Sequence, residues 1–121
     1  MADKQKLVTI SAQELQKKIQ EEPEIILINV LEKKYHQDCH ISGSINIPLD
    51  LIIEKTASWS KDKELIVYCA SLSCPKSQEA YHILKDLGFE HVFNYQGGIK
   101  EWFQKGFEIT GPCKSEYLHK H

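Results

Sequence analysis

The sequence contains no arginine: its fifteen cationic side chains are all lysine. Chemistry that needs a planar guanidinium gripping two oxygens at once has no supplier in this chain. Excess positive charge is lacking as well. Seventeen carboxylates bring the formal net charge to -2, and the two signs alternate along the length, so no basic field exists to draw a polyanion and no nucleic-acid partner is expected. No apolar run approaches the roughly 20 residues that span a bilayer, and the opening MADKQKLVTIS has no apolar segment of signal-peptide length. No membrane partner is expected, and the chain reads as cytoplasmic. Repeats, low-complexity blocks and Pro/Gly-rich linkers are also missing. What remains, 41% apolar and 26% charged residues in 121, is an ordinary globular composition with enough chain for one core and too little for two. A single domain over 1–121 is expected, with its core at about 8–108 and a C-terminal tail at 109–121.

The elements alternate. Thr9 and Ile10 read as a short edge strand. Ser11 and Glu14 form a capping box in front of an amphipathic turn carrying Leu15 and Ile19. The β-branched run from Glu24 to Val30 suits a strand buried on both faces, in the centre of a sheet. A polar helical turn, Glu32 to Asp38, precedes a short strand from Ser44 to Ile47 that Pro48 ends. Leu49 to Lys55 predicts a helix, Leu65 to Tyr68 a second buried strand, Ser77 to Leu87 a helix stopped by Gly88, and Val92 to Tyr95 another strand. Gly97-Gly98 allows a tight turn into a last helix, Ile99 to Gln104. Strands separated by helices need crossover connections, so the fold class is α/β: a central, mainly parallel sheet flanked by helices on both faces.

The four cysteines are Cys39, Cys69, Cys74 and Cys113. In a reducing compartment they are expected to be free, metal-bound or catalytic rather than to form a disulfide frame. Cys69 stands apart because it ends the most apolar strand, and in open α/β sheets the functional crevice lies beyond the carboxyl ends of the strands. The loop Ala70, Ser71, Leu72, Ser73, Cys74, Pro75, Lys76 follows, with Pro75 suited to the first turn of a helix. If the loop amides curl around the sulfur at the positive end of that helix, Cys69 should ionise below the free-cysteine value of about 8.5 and act as a thiolate.

Four segments, Ile26 to Val30, Cys39 to Pro48, Leu65 to Cys69 and Asn94 to Trp102, together resemble in order and spacing the signatures of single-domain rhodanese-like sulfurtransferases. The resemblance implies persulfide chemistry without a cofactor. Cys69 would take sulfur from thiosulfate or another persulfide donor and pass it to a thiol or to cyanide, or to an acceptor protein. Residues Ala70 to Lys76 would bind the anion, with Lys76 as electrostatic helper. The sequence departs from the pattern at Asn29-Val30-Leu31, where the family usually reads Asp-Val-Arg. It departs again in the loop, where Lys76 is the only cation and many members have arginine.

Cys74 has three readings: a weak donor to the persulfide, a thiol that resolves an oxidised Cys69, or a small residue filling space. Other classes compete for the whole site. A phosphatase-type loop carries arginine six positions after its cysteine, and that position is Pro75 here, which removes the main charge stabiliser of phosphoryl transfer. A rhodanese-like binding module without turnover is the non-enzyme alternative. Zinc would need a second ligand cluster beside Cys69 and Cys74, and the sequence has none, so no metal is expected. His40 reads as a turn cap, Cys113 as an idle thiol, and His119 and His121 as part of a frayed tail. Trp102, Phe103, Phe107 and Tyr68 belong to the core, and Trp59 is either a lid or a partner patch.

Overall fold

In the computed structural model, which describes residues 7–120, the capping box forms as expected. The Glu14 amide donates to Ser11 Oγ at 3.0 Å and the Ser11 amide to Glu14 Oε1 at 2.9 Å, opening α1, Ala12–Glu21. The β-branched run gives β1, Ile26–Asn29. After α2, Lys33–Asp38, come the two-residue strands β2, His40–Ile41, and β3, Ile45–Asn46. The segment expected as one helix at 49–55 is divided into a 3-10 turn, Leu49–Leu51, and a short helix α3, Ile52–Thr56. Then β4, Glu64–Tyr68, leads to α4, Lys76–Asp86, and β5, His91–Tyr95, to α5, Gly98–Gln104. Finally β6, Ile109–Thr110, precedes a 3-10 turn, Glu116–His119.

Four strands make one parallel sheet in the order β3-β1-β4-β5. β1 and β4 are its interior strands, and Leu65 to Tyr68 of β4 are fully buried on alternating sides, which requires cover on both faces. Thr9 does not form a strand. It makes a single parallel bridge to Asn94 beside β5.

Two features were not expected. First, β2 and β6 pair antiparallel, His40 opposite Thr110 and Ile41 opposite Ile109. Second, Cys39 and Cys113 are joined in a disulfide across 74 residues of sequence. This corrects the expectation that the cysteines are free, metal-bound or catalytic rather than paired in a disulfide, and that Cys113 is an idle thiol. The physical reason is that the end of the chain folds back on α2. The Cys113 amide donates to the Asp38 carbonyl at 2.7 Å, and the Asp38 carboxylate accepts from the Lys114 and Ser115 amides at 2.9 and 3.1 Å. The tail is therefore packed rather than frayed: Leu118 is fully buried, and His119 stacks edge-on against Phe103 and lies 3.0 Å from the Cys113 carbonyl. Residues 1–6 and His121 lie outside the described residues.

The aromatic core is as expected. Trp102 is 2% exposed, packs edge-on against Tyr95 and Phe107, and donates from Nε1 to the Glu108 carbonyl. Trp59 is half-buried against the same core.

Candidate active site

β4 carries Cys69 to the carboxyl edge of the sheet, where the residue is 1% exposed. The backbone there is held by α5. The Ile99 amide donates to the Cys69 carbonyl and the Lys100 amide to the Ala70 carbonyl, both at 2.9 Å. The Gly97-Gly98 turn, separated from Cys69 by almost thirty residues, thus fixes where the loop begins, with Gly98 at φ +70°.

Beyond Ala70 the chain makes a tight turn, closed by the Cys74 amide donating to the Ser71 carbonyl at 3.0 Å, with the Ser71 and Ser73 hydroxyls 3.2 Å apart. Leu72 stands at its tip, 74% exposed. Pro75 ends the turn and Lys76 begins α4. Two hollows flank the loop. An open cleft of about 970 Å³ is bounded by Ser71, Leu72 and Ser73 together with Glu14, Lys100 and Lys105. A smaller cavity of about 460 Å³ lies between Lys76, Val30, Glu32, Pro48 and Asp50. Cys69 lines neither. The loop is the wall between the sulfur and solvent.

The sulfur has close polar neighbours. Cys69 Sγ lies 3.4 Å from the Cys74 carbonyl oxygen, which accepts its proton, and 3.4 Å from Ser77 Oγ, whose hydroxyl can donate to the sulfur. Burial, reinforced by the facing Cys74 side chain, pushes the thiol up from 9.0 to about 11, while the Ser77 hydroxyl and amide pull the other way. This corrects the expectation of a thiolate in a ring of donors. The Cys74 amide is spent on the Ser71 carbonyl, and its own carbonyl, an acceptor, faces the sulfur and favours S–H. With so little exposure, water cannot solvate the anion. The residue that does direct donors at the sulfur is Ser77, in the first turn of α4. Sequence reading missed it, although a serine in the first turn of the helix after the cysteine loop was a visible signal.

Of the remaining candidates, Cys74 borders the sulfur and the others lie apart from it. Cys74 is half-buried with its thiol free, and Lys76 is half-buried at the start of α4. Cys113 is bonded to Cys39, so in this state it cannot receive sulfur. His40 lies with Nδ1 2.8 Å from the His36 carbonyl and its ring stacked on that of His36 at 3.8 Å, consistent with a structural part at the end of α2. His36 itself is held down to about 4 by burial and by His40. Tyr68 is a buried hub rather than simple filler. Its hydroxyl accepts from the Ile41 amide at 3.0 Å and from Asn29 Nδ2 at 3.3 Å, and meets Ser44 Oγ at 2.8 Å.

Comparison with known proteins accords with this geometry. A family model described as "Rhodanese-like domain" matches residues 11–105. A "Sulfurtransferase" of Allochromatium vinosum is 24% identical over 103 residues, covering 85% of this chain and 94% of its own. "Thiosulfate sulfurtransferase PspE" of Escherichia coli is 37% identical over 76 residues, 61% of this chain and 70% of its own. Other curated relatives are longer, and the chain spans 38% of one and 51% of another. Among solved structures, the BH2092 protein of Bacillus halodurans superposes with a TM-score of 0.80 at 29% identity, covering 88% of this chain and 78% of that one.

Proposed function

The chain belongs to the rhodanese-like domain family, and from that premise we propose that it is a cofactor-free sulfurtransferase working through a persulfide on Cys69. The observation that carries the reading is the sulfur's position: it ends an interior strand of the sheet, with the Ser77 amide and hydroxyl turned toward it. The Cys69 thiolate attacks the outer sulfur of thiosulfate. The bond between the two thiosulfate sulfurs breaks, its electron pair leaves with sulfite, and Cys69 carries the transferred sulfur. A thiol or cyanide then attacks that outer sulfur and returns the electron pair to Cys69. Nucleophile, leaving group and persulfide are all anions, and α4, an eleven-residue helix, presents its positive end to each.

Ionisation and loop movement are linked in this scheme. Once the proton leaves, the sulfur and the Cys74 carbonyl oxygen repel each other, so the turn around Cys74 must rotate. The same rotation uncovers the sulfur that the loop encloses. Lys76 draws the dianion as a point charge but cannot fork onto it, which favours a small persulfide as the physiological donor over thiosulfate. A protein acceptor would meet the loop at the exposed Leu72. The cytoplasm is the compartment proposed from the sequence. There the Cys39–Cys113 bridge would have to close against the thiol pool, and the redox state of that pair in cells decides the placement.

One observation favours the binding-module reading: the sulfur is enclosed, and burial raises the pKa of its thiol. Cyanide-dependent formation of thiocyanate separates the two. Turnover that disappears in Cys69→Ala supports the transferase, and no turnover with any sulfane donor supports the module.

A further inference from the structure

Cys74 is the nucleophile that the scheme above leaves unused. Its carbonyl oxygen lies 3.4 Å from Cys69 Sγ, its thiol is free and half-buried, and its side chain faces that of Cys69. The tight turn closed from the Cys74 amide to the Ser71 carbonyl folds the five intervening steps of chain back on themselves, so the two sulfurs belong to one short loop.

We propose that Cys74 attacks the inner sulfur of the Cys69 persulfide, closing an intraloop Cys69–Cys74 disulfide and expelling the carried sulfur as hydrosulfide. The inference rests on the sulfurtransferase reading and adds a second fate for its intermediate. The atoms balance. The bond from Cys69 Sγ to the outer sulfur breaks as the bond from Cys69 Sγ to Cys74 Sγ forms. The electron pair of the broken bond leaves with the outer sulfur, which departs as HS⁻ with the Cys74 proton. The outer sulfur is reduced by two electrons and the two cysteines supply them. An external dithiol then reopens the disulfide and resets the loop. The activity that follows is sulfide release driven by a dithiol reductant. A passing acceptor competes for the same persulfide, and the rotation of the turn at Cys74 decides which sulfur is reached first.

The experiment loads the full-length protein with thiosulfate in the absence of any added thiol, then reads intact mass, free sulfide and the cysteine pairing by peptide mapping. The expected result is about one sulfide per chain, a chain lighter by two hydrogens, a mapped Cys69–Cys74 bond, and a halt after that single event until a dithiol is added. Cys74→Ser, treated in parallel, should hold the extra sulfur and release no sulfide until a thiol is supplied. A wild-type protein that keeps its persulfide as long as Cys74→Ser, with Cys74 still free, overturns the inference while leaving the sulfurtransferase reading intact. If the wild-type protein gains no sulfur from thiosulfate or from a polysulfide and releases no sulfide, both fall together.

Discussion

A Cβ on Gly98 would stand 2.6 Å from the carbonyl oxygen of Cys69 and 2.7 Å from the carbonyl carbon of Ala70. The first turn of α5 reaches the loop that follows Cys69 only because this residue has no side chain. Its φ of +70° is in addition a conformation that residues with a Cβ adopt at a cost. Gly98→Ala should therefore displace the start of the loop. We expect a loss of about 1–3 kcal/mol in unfolding free energy, from strain and the close contact, and sulfur uptake reduced more than the stability loss alone explains. Denaturant titration beside single-turnover persulfide formation checks both.

The proton on Cys69 sets a pH dependence. Because the folded thiol is pushed up to about 11 from 9.0, the thiolate fraction climbs across the whole neutral and alkaline range. The rate of sulfur uptake should rise about tenfold per pH unit between pH 7 and pH 9. The sign for stability is the reverse. A thiol that keeps its proton more tightly when folded stabilises the fold fully below pH 9, and this contribution is lost as the pH rises from 9 through about 11. Unfolding of wild type and Cys69→Ser at pH 8 and pH 10.5 should show only the former losing this increment.

Ser77→Ala removes the hydroxyl 3.4 Å from the sulfur and leaves the Ser77 amide in place. With one fewer partner for the anion, the thiol should titrate higher still, and sulfur uptake at pH 7.5 should slow by about tenfold. Alkylation rate against pH reports the titration independently of turnover.

The Cys39–Cys113 bridge closes a loop across 74 residues of sequence. Cys113→Ser should lower the unfolding free energy by about 2–4 kcal/mol in non-reducing buffer. A reductant should bring the wild type down to the same level and leave the variant where it was. Equal response of both proteins to the reductant would contradict the pairing.

Much of the fold was legible because its interior strands, β1 and β4, lie in continuous apolar runs and its first helix carries a capping box, both local signals. The pairing of β2 with β6 was not, since two residues per strand give no period to read and their register depends on where the chain end docks. The Cys39–Cys113 bond was hidden for the same reason: four cysteines allow several pairings, and the docking of the tail on Asp38 decides among them. At the site, the position of Cys69 followed from the end of the apolar strand and Pro75. The direction of its titration did not follow. Counting amides in a loop says nothing of which carbonyl turns inward, and here the Cys74 carbonyl does.

The central claim is that Cys69 accepts a sulfur atom, and intact mass after incubation with thiosulfate or a polysulfide tests it most directly when Cys74→Ser serves as host, so that the sulfur is retained. The account predicts a gain of one sulfur, removed by an added thiol and absent when Cys69→Ser is combined with it. An unchanged mass with every donor, or the same gain without Cys69, would contradict it.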